Sequence, residues 1–144
     1  MPAAVLCVRS LLLPLCCVLL SIEPATLRAL EPRSSVVERF EFELRDRAVA
    51  HQGGNTLNVK VTYTYQPRLK PAAYPDFTLL ARACDEFFAS YPNRTDFWEI
   101  LNLKLTRLLL AKFPALASIT VEIHVAPTAS IPYPRASTVT RTRR

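Results

Sequence analysis

Hydrophobic and polar residues begin to alternate after Val36. Phe40, Phe42 and Leu44 interleave with Glu41, Glu43 and Arg45, the period of a strand with one buried face. His51-Gln52-Gly53-Gly54-Asn55 supplies turn chemistry, and Leu57, Val59, Val61, Tyr63 and Tyr65 then alternate with Asn58, Lys60, Thr62 and Thr64. Together the two runs predict a hairpin. After a proline-bearing connection from Gln66 to Pro75, Asp76 can cap a helix. Its apolar positions, Phe77, Leu80, Ala81, Cys84, Phe87, Phe88 and Tyr91, trace one face. Pro92-Asn93-Arg94 breaks that helix, and a second runs from about Asp96 to Phe113, with Phe97, Leu101, Leu105, Leu108 and Leu109 inward and Pro114 as its stop. The pairs Phe87/Phe88 and Phe97/Trp98 read as packing residues. Ile119, Val121, Ile123 and Val125 then alternate with Thr120, Glu122 and His124, and after a proline-rich connection a last strand runs from about Ala136 to Arg143.

The predicted order is ββααββ, an α+β fold. Two hairpins flanking a helical pair make a four-stranded antiparallel sheet with both helices on one face. The other face is expected to be half apolar, and open sheet edges invite further strands. Copies joined edge to edge into an oligomeric barrel would answer both, so the chain itself is the first expected partner.

The 144 residues amount to about one domain. Half are hydrophobic and 21% are charged, which excludes a disordered tail and a multi-span membrane protein. Residues 1–33 read as a targeting leader and 36–144 as the domain. Met1 to Ile22 carry one charge, Arg9, before an apolar run from Leu11 to Ile22, which is shorter than the roughly 20 residues that span a bilayer. This order matches a removable leader for the secretory pathway or an organelle better than an anchor. The cleavage signal is poor, because Leu27 is bulky two positions before Ala29, and Glu23 spoils the same reading at Ala25. A membrane is a partner only if the leader stays attached. Cys7, Cys16 and Cys17 all lie in the leader, which leaves Cys84 alone in the body without a disulfide partner. Asn93-Arg94-Thr95 is a glycosylation sequon, used only on a eukaryotic secretory route, and chance occurrence is the default reading.

Chemistry narrows from there. The only two glycines are the adjacent Gly53 and Gly54, which excludes phosphate-cradling loops that need several spaced glycines. There is no Gly-x-Ser-x-Gly elbow, and two histidines with one body cysteine suggest neither a catalytic triad nor a zinc site. No metal and no cofactor are expected. His51 reads as a turn residue and His124 as an exposed strand histidine. The formal charge is +6, and Arg135, Arg141, Arg143 and Arg144 face no acid after Glu122. A solvated basic tail is the preferred reading. Tyr133 is the one ring near these arginines, so nucleic acid ranks last among partners.

Asp96-Phe97-Trp98-Glu99-Ile100-Leu101, opening the second helix, and Val121-Glu122-Ile123-His124-Val125, leading into Ile131-Pro132-Tyr133-Pro134, complete a pattern that resembles the dihydroneopterin aldolase family of tunnelling folds. The resemblance covers roughly Phe40 to Thr142. It implies a homo-oligomeric barrel with sites between neighbouring chains, a pterin- or purine-like ligand, and the carbon–carbon lyase step of folate biosynthesis. It places Glu99 where that family grips the amide and amino group of the pterin ring. Two carboxylate oxygens match two adjacent N–H donors as a bidentate pair. Trp98 falls where the family uses a backbone N–H, and Phe77 falls where it has a catalytic tyrosine, keeping a ring for stacking without the hydroxyl. Asp96-x-x-Glu99 is equally a capping box, with Glu99 returning to the backbone at the helix start.

Three departures bear on catalysis. The family's lysine base falls at Val125, its tyrosine at Phe77, and the acid of its first hairpin loop has no counterpart between His51 and Leu57. General acid–base groups contribute about 10²–10⁴-fold each, so losing three should abolish aldolase turnover. Glu122 and His124 are the nearby substitutes, and strand alternation puts both on the face away from the apolar set. No catalytic residue is assigned, and enzymatic activity rests on the resemblance alone. The first reading is therefore a heterocycle-binding protein that uses Glu99, Trp98 and Phe77. The alternative is a non-catalytic oligomeric scaffold or interaction protein on the same fold.

Overall fold

The computed structural model describes residues 37–92 and 95–144. The expected leader with Cys7, Cys16 and Cys17, and the sequon at Asn93, lie outside these residues. Strands β1 (Arg39–Val49) and β2 (Asn55–Tyr65), helices α1 (Phe77–Ser90) and α2 (Trp98–Lys112), and strands β3 (Leu116–Val125) and β4 (Arg135–Thr142) follow in the predicted order. The strands form one antiparallel sheet in the order β1-β2-β3-β4. Both helices cover one face of it. Among the described residues no helix is long and apolar enough to cross a membrane.

Directly opposed residues in an antiparallel pair point to the same face. Leu57 faces Val125, Val59 faces Ile123, Val61 faces Val121, and Tyr63 faces Ile119, and all eight are buried under the helices. Burying a side chain of this size contributes about 1.5–3 kcal/mol, so the two central strands hold much of the stability. In β1 the buried residues change parity from Leu44 to Val49 because a bulge shifts the register between Leu44 and Arg47. Asp46 takes a left-handed φ of 53° there, and its N–H donates to Asn58 Oδ1 at 2.9 Å. The extra residue restores the inward face beyond the bulge.

The expected half-apolar second face is absent. It carries the pairs Asn58/His124, Lys60/Glu122, Thr62/Thr120 and Thr64/Ser118, flanked by Glu41 and Glu43 on β1 and by Thr138 and Thr140 on β4. Every apolar residue of β2, tyrosines included, and of β3 from Ile119 onward has the parity of the helix-covered face, and Leu116 reaches the core through a register shift opposite Tyr65. Polar residues here pair with one another: Lys60 with Glu41 at 3.3 Å, Thr64 with Ser118 at 2.7 Å and Thr120 with Thr140 at 2.9 Å. His124 lies on this face, exposed, 3.7 Å from Glu122. The second face therefore gives no apolar reason for self-association, and β1 and β4 each pair on one side only among the described residues.

Asp76 caps α1 as predicted, its Oδ1 accepting from the Thr78 N–H at 2.9 Å. That bond holds the Asp76 carboxyl below its ordinary range. In α1 Leu80, Ala83 and Cys84 are buried, while Ala81, Phe87, Phe88 and Tyr91 pack partly buried against the core. The inward face of α2 differs from the predicted one. Phe97 is 74% exposed and Leu108 is exposed too, while Trp98, Leu101, Asn102, Leu105, Thr106, Leu109 and Leu110 are buried. Phe97 stands at the N-cap, outside the helix, so the apolar stripe starts at Trp98 and passes through two polar residues. Asn102 is fully buried, and its Nδ2 donates to Val121 O on β3 and Ser137 O on β4, both at 3.0 Å.

The basic C-terminal stretch is not a solvated tail. Most of it is β4, and the Arg143 guanidinium donates to the carbonyls of Leu110, Phe113 and Leu116. A cation there gives the Leu110 carbonyl in the last turn of α2 a donor and complements the helix dipole. Cys84 is fully buried, and burial pushes its thiol up to about 12. Since the thiolate is the reactive form, Cys84 should resist maleimide for hours in the native protein and label at once in guanidinium. Mass spectrometry of the peptide holding Cys84 checks this, and rapid native labelling would contradict the burial.

Candidate functional site

The site is built where the tip of the β1–β2 hairpin meets the start of α2. Gln52, Gly53 and Gly54 all take positive φ, at 49°, 85° and 98°. The two glycines adopt this region without the steric cost a side chain would incur, and the chain turns tightly enough to set the hairpin tip against α2. His51 Nε2 and Gln52 Nε2 each lie 2.8 Å from the backbone oxygen of Asp96. A carbonyl only accepts, so His51 carries its proton on Nε2. The imidazole is buried, edge-on to the Trp98 indole at 4.6 Å and to the Tyr91 ring at 5.7 Å. His51 is thus a turn residue, as predicted, and also a clamp on α2.

The capping box does not form. Phe97 occupies the N-cap without a side-chain bond, and Asp96 stands one residue too early. Its carboxylate instead accepts from the Tyr91 hydroxyl and, at 2.8 Å, from the Lys104 ammonium. The Lys104 bond, followed by the Tyr91 bond, holds the Asp96 carboxyl below its ordinary range, and Asp96 in turn holds Lys104 above its own. Burial, reinforced by the same carboxylate, raises the Tyr91 hydroxyl. Glu99 therefore has no capping role. It is exposed and has no hydrogen bond or ion pair among the described residues.

Glu99 borders a cleft of about 460 Å³ that is also lined by Gln52, Phe97, Trp98, Arg135 and Ala136. Trp98 and Glu99 are thus brought together, at the β4 edge of the sheet. Phe77 is elsewhere. Its ring lies 5.5 Å from Phe40 and 6.0 Å from Phe42 on β1, at the opposite edge. Three strand spacings separate β1 from β4, roughly 14 Å, and the register puts Phe40 six residues, roughly 20 Å, farther along the strands than Arg135. Within one chain Phe77 and Glu99 cannot touch the same small ring.

Val125 is 2% exposed, packed in the core and directly opposite Arg135. Neither Glu122 nor His124 lines the cleft. His51, Gln52 and Arg135 are site residues that sequence reasoning placed only in a turn or a tail. The register of the β3–β4 hairpin, which puts Arg135 beside Val125, was the signal that could have found the arginine.

No protein-family model matches the chain, and no curated protein matches it in sequence. Solved structures do match in fold. A dihydroneopterin aldolase from Burkholderia thailendensis, solved bound to guanine, aligns with a TM-score of 0.52 at 15% identity, over 74% of this chain and 93% of that one. A putative dihydroneopterin aldolase from Vibrio cholerae aligns with a TM-score of 0.55 at 12% identity, over 72% of this chain and 98% of that one. The chain shares their tunnelling fold, over nearly their whole length and at low identity.

Proposed function

We propose that this tunnelling-fold chain binds a pterin- or purine-like heterocycle at a site built on Trp98 and Glu99, without aldolase turnover. The observation that carries the reading is the Glu99 carboxylate, unpartnered among the described residues, on the cleft where α2 starts without a side-chain cap. An N–H donor pair on a ring edge would bond its two oxygens, and the first-turn backbone N–H groups would meet a ring carbonyl. Charge-assisted bonds of this kind contribute about 1.5–3 kcal/mol each. The guanine held by the Burkholderia protein has such an edge. Phe77 belongs to the opposite sheet edge, so it joins the ring only from a second copy. The open edges of β1 and β4 suit such a homo-oligomeric barrel.

The positions that match the family's acid–base groups supply none of them among the described residues. Val125 cannot take a proton, Phe77 has no hydroxyl, and the hairpin tip brings Gln52 rather than an acid to the cleft. At a hundredfold excess over Kd, guanine or neopterin should stabilise the protein by about 2.7 kcal/mol, a rise in Tm of roughly 10–20 °C. Glu99→Gln should remove that gain while leaving the unliganded Tm unchanged. No shift at millimolar ligand would favour the scaffold reading, and a shift that survives Glu99→Gln would move the site elsewhere. Glycolaldehyde release from dihydroneopterin at the rate of an active aldolase would refute the non-catalytic part.

A further inference from the structure

Glu99 shares its cleft with a cation. Arg135, the first residue of β4, lines the same hollow and has no ion pair among the described residues. Its guanidinium is held by a neutral partner only. Nη2 donates to Asn55 Oδ1 at 3.0 Å, and Asn55 Nδ2 donates back to the His51 carbonyl at 2.9 Å. His51 in turn is clamped to the start of α2. The cation is therefore oriented by the hairpin tip without being neutralised, and its Nε is buried without a partner.

A carboxylate and a guanidinium that border one cleft and do not pair ask for a guest that keeps them apart, with N–H donors at one end and an oxyanion at the other. A planar guanidinium matches carboxylate or phosphate oxygens through two parallel bonds. It stays protonated, so it recognises and does not act as a base. Resting on the heterocycle reading above, we propose that Arg135 makes this cleft selective for heterocycles bearing an oxyanion substituent, a carboxylate or a phosphate ester, at the end away from the ring edge gripped by Glu99. The residue that chooses the ligand then lies on β4, directly across from the apolar Val125.

Two probe pairs test this by isothermal titration calorimetry on the full chain: pterin against pterin-6-carboxylate, and guanine against guanosine 5′-monophosphate. The acidic member of at least one pair should bind 10-fold or more tightly than its parent, and the ratio should shrink as salt rises. A preference confined to the pterin pair identifies a carboxylate, and one confined to the guanine pair a phosphate. Arg135→Gln keeps an amide donor for Asn55 but removes the charge, so it should bring the ratio to near one by weakening the acidic probes. Arg135→Lys should restore part of the preference. Glu99→Gln should weaken all four probes and leave the ratio standing. Equal binding within both pairs, or a preference that survives Arg135→Gln, overturns the role of Arg135 while the heterocycle reading stands. No binding of any probe overturns both.

Discussion

Asn102→Asp should destabilise the fold by about 3–5 kcal/mol at neutral pH, the cost of burying a charge without a partner. Asn102 is fully buried on α2, and its amide group donates to the carbonyls of Val121 and Ser137 while its own oxygen has no partner among the described residues. An ionised aspartate has no donor, so two carbonyls would face a bare carboxylate. The protonated form can donate one bond, which raises its folded pKa above the unfolded value near 3.9. The sign follows from linkage: below the unfolded value the variant keeps its best stability, and it loses stability as pH rises toward the folded value. Urea unfolding of both proteins at pH 4 and pH 7 checks this, with the gap expected to widen at pH 7. An equal gap at both pH values would mean that the side chain escapes to water and that α2 is not pinned to β3 and β4 as described.

Trp98→Ala should cost a similar 3–5 kcal/mol, the range for deleting a large buried aromatic, and lower Tm by roughly 15–30 °C. Trp98 is 7% exposed and seats the buried His51 ring against α2. Its loss should loosen the hairpin tip first, so amide exchange should accelerate at residues 51–54 more than in β2 or β3. Trp98→Phe should recover most of the stability. It should also keep heterocycle binding within a few-fold, because the contact proposed at this position is the backbone N–H and the indole serves as packing. Binding lost in the Phe variant despite a native Tm would give the indole itself a ligand contact.

The two helices show how far periodicity reaches. In α1 the capping role of Asp76 and the inward Leu80 and Cys84 follow from local spacing. In α2 apolar spacing alone starts the stripe at Phe97, which stands outside the helix. The true stripe includes Asn102 and Thr106, whose burial is repaid by hydrogen bonds to the sheet and to the preceding helical turn. A polar residue at a core position can be recognised only once its acceptors on other strands are in place. Asp96 makes the same point at the site. By sequence it caps α2 in a box that Glu99 closes, yet in the fold Lys104 and Tyr91 hold its carboxylate and the hairpin tip holds its carbonyl, which leaves the Glu99 side chain out of the cap.

Alternation and helical spacing by themselves determined the element order and the inward parity of β2 and of β3 from Ile119 onward, because these depend on backbone geometry within a few residues. Glu99 became a site candidate only through the resemblance carried by the motif that opens α2. Only the tertiary structure decided how β1 continues past its bulge, that Trp98 and Glu99 share a cleft with Arg135, and that Phe77 lies at the far edge. Those outcomes depend on the bulge in β1, the register of β3 against β4, and the seating of the β1–β2 hairpin on α2. Each joins residues tens of positions apart, where no local period carries information.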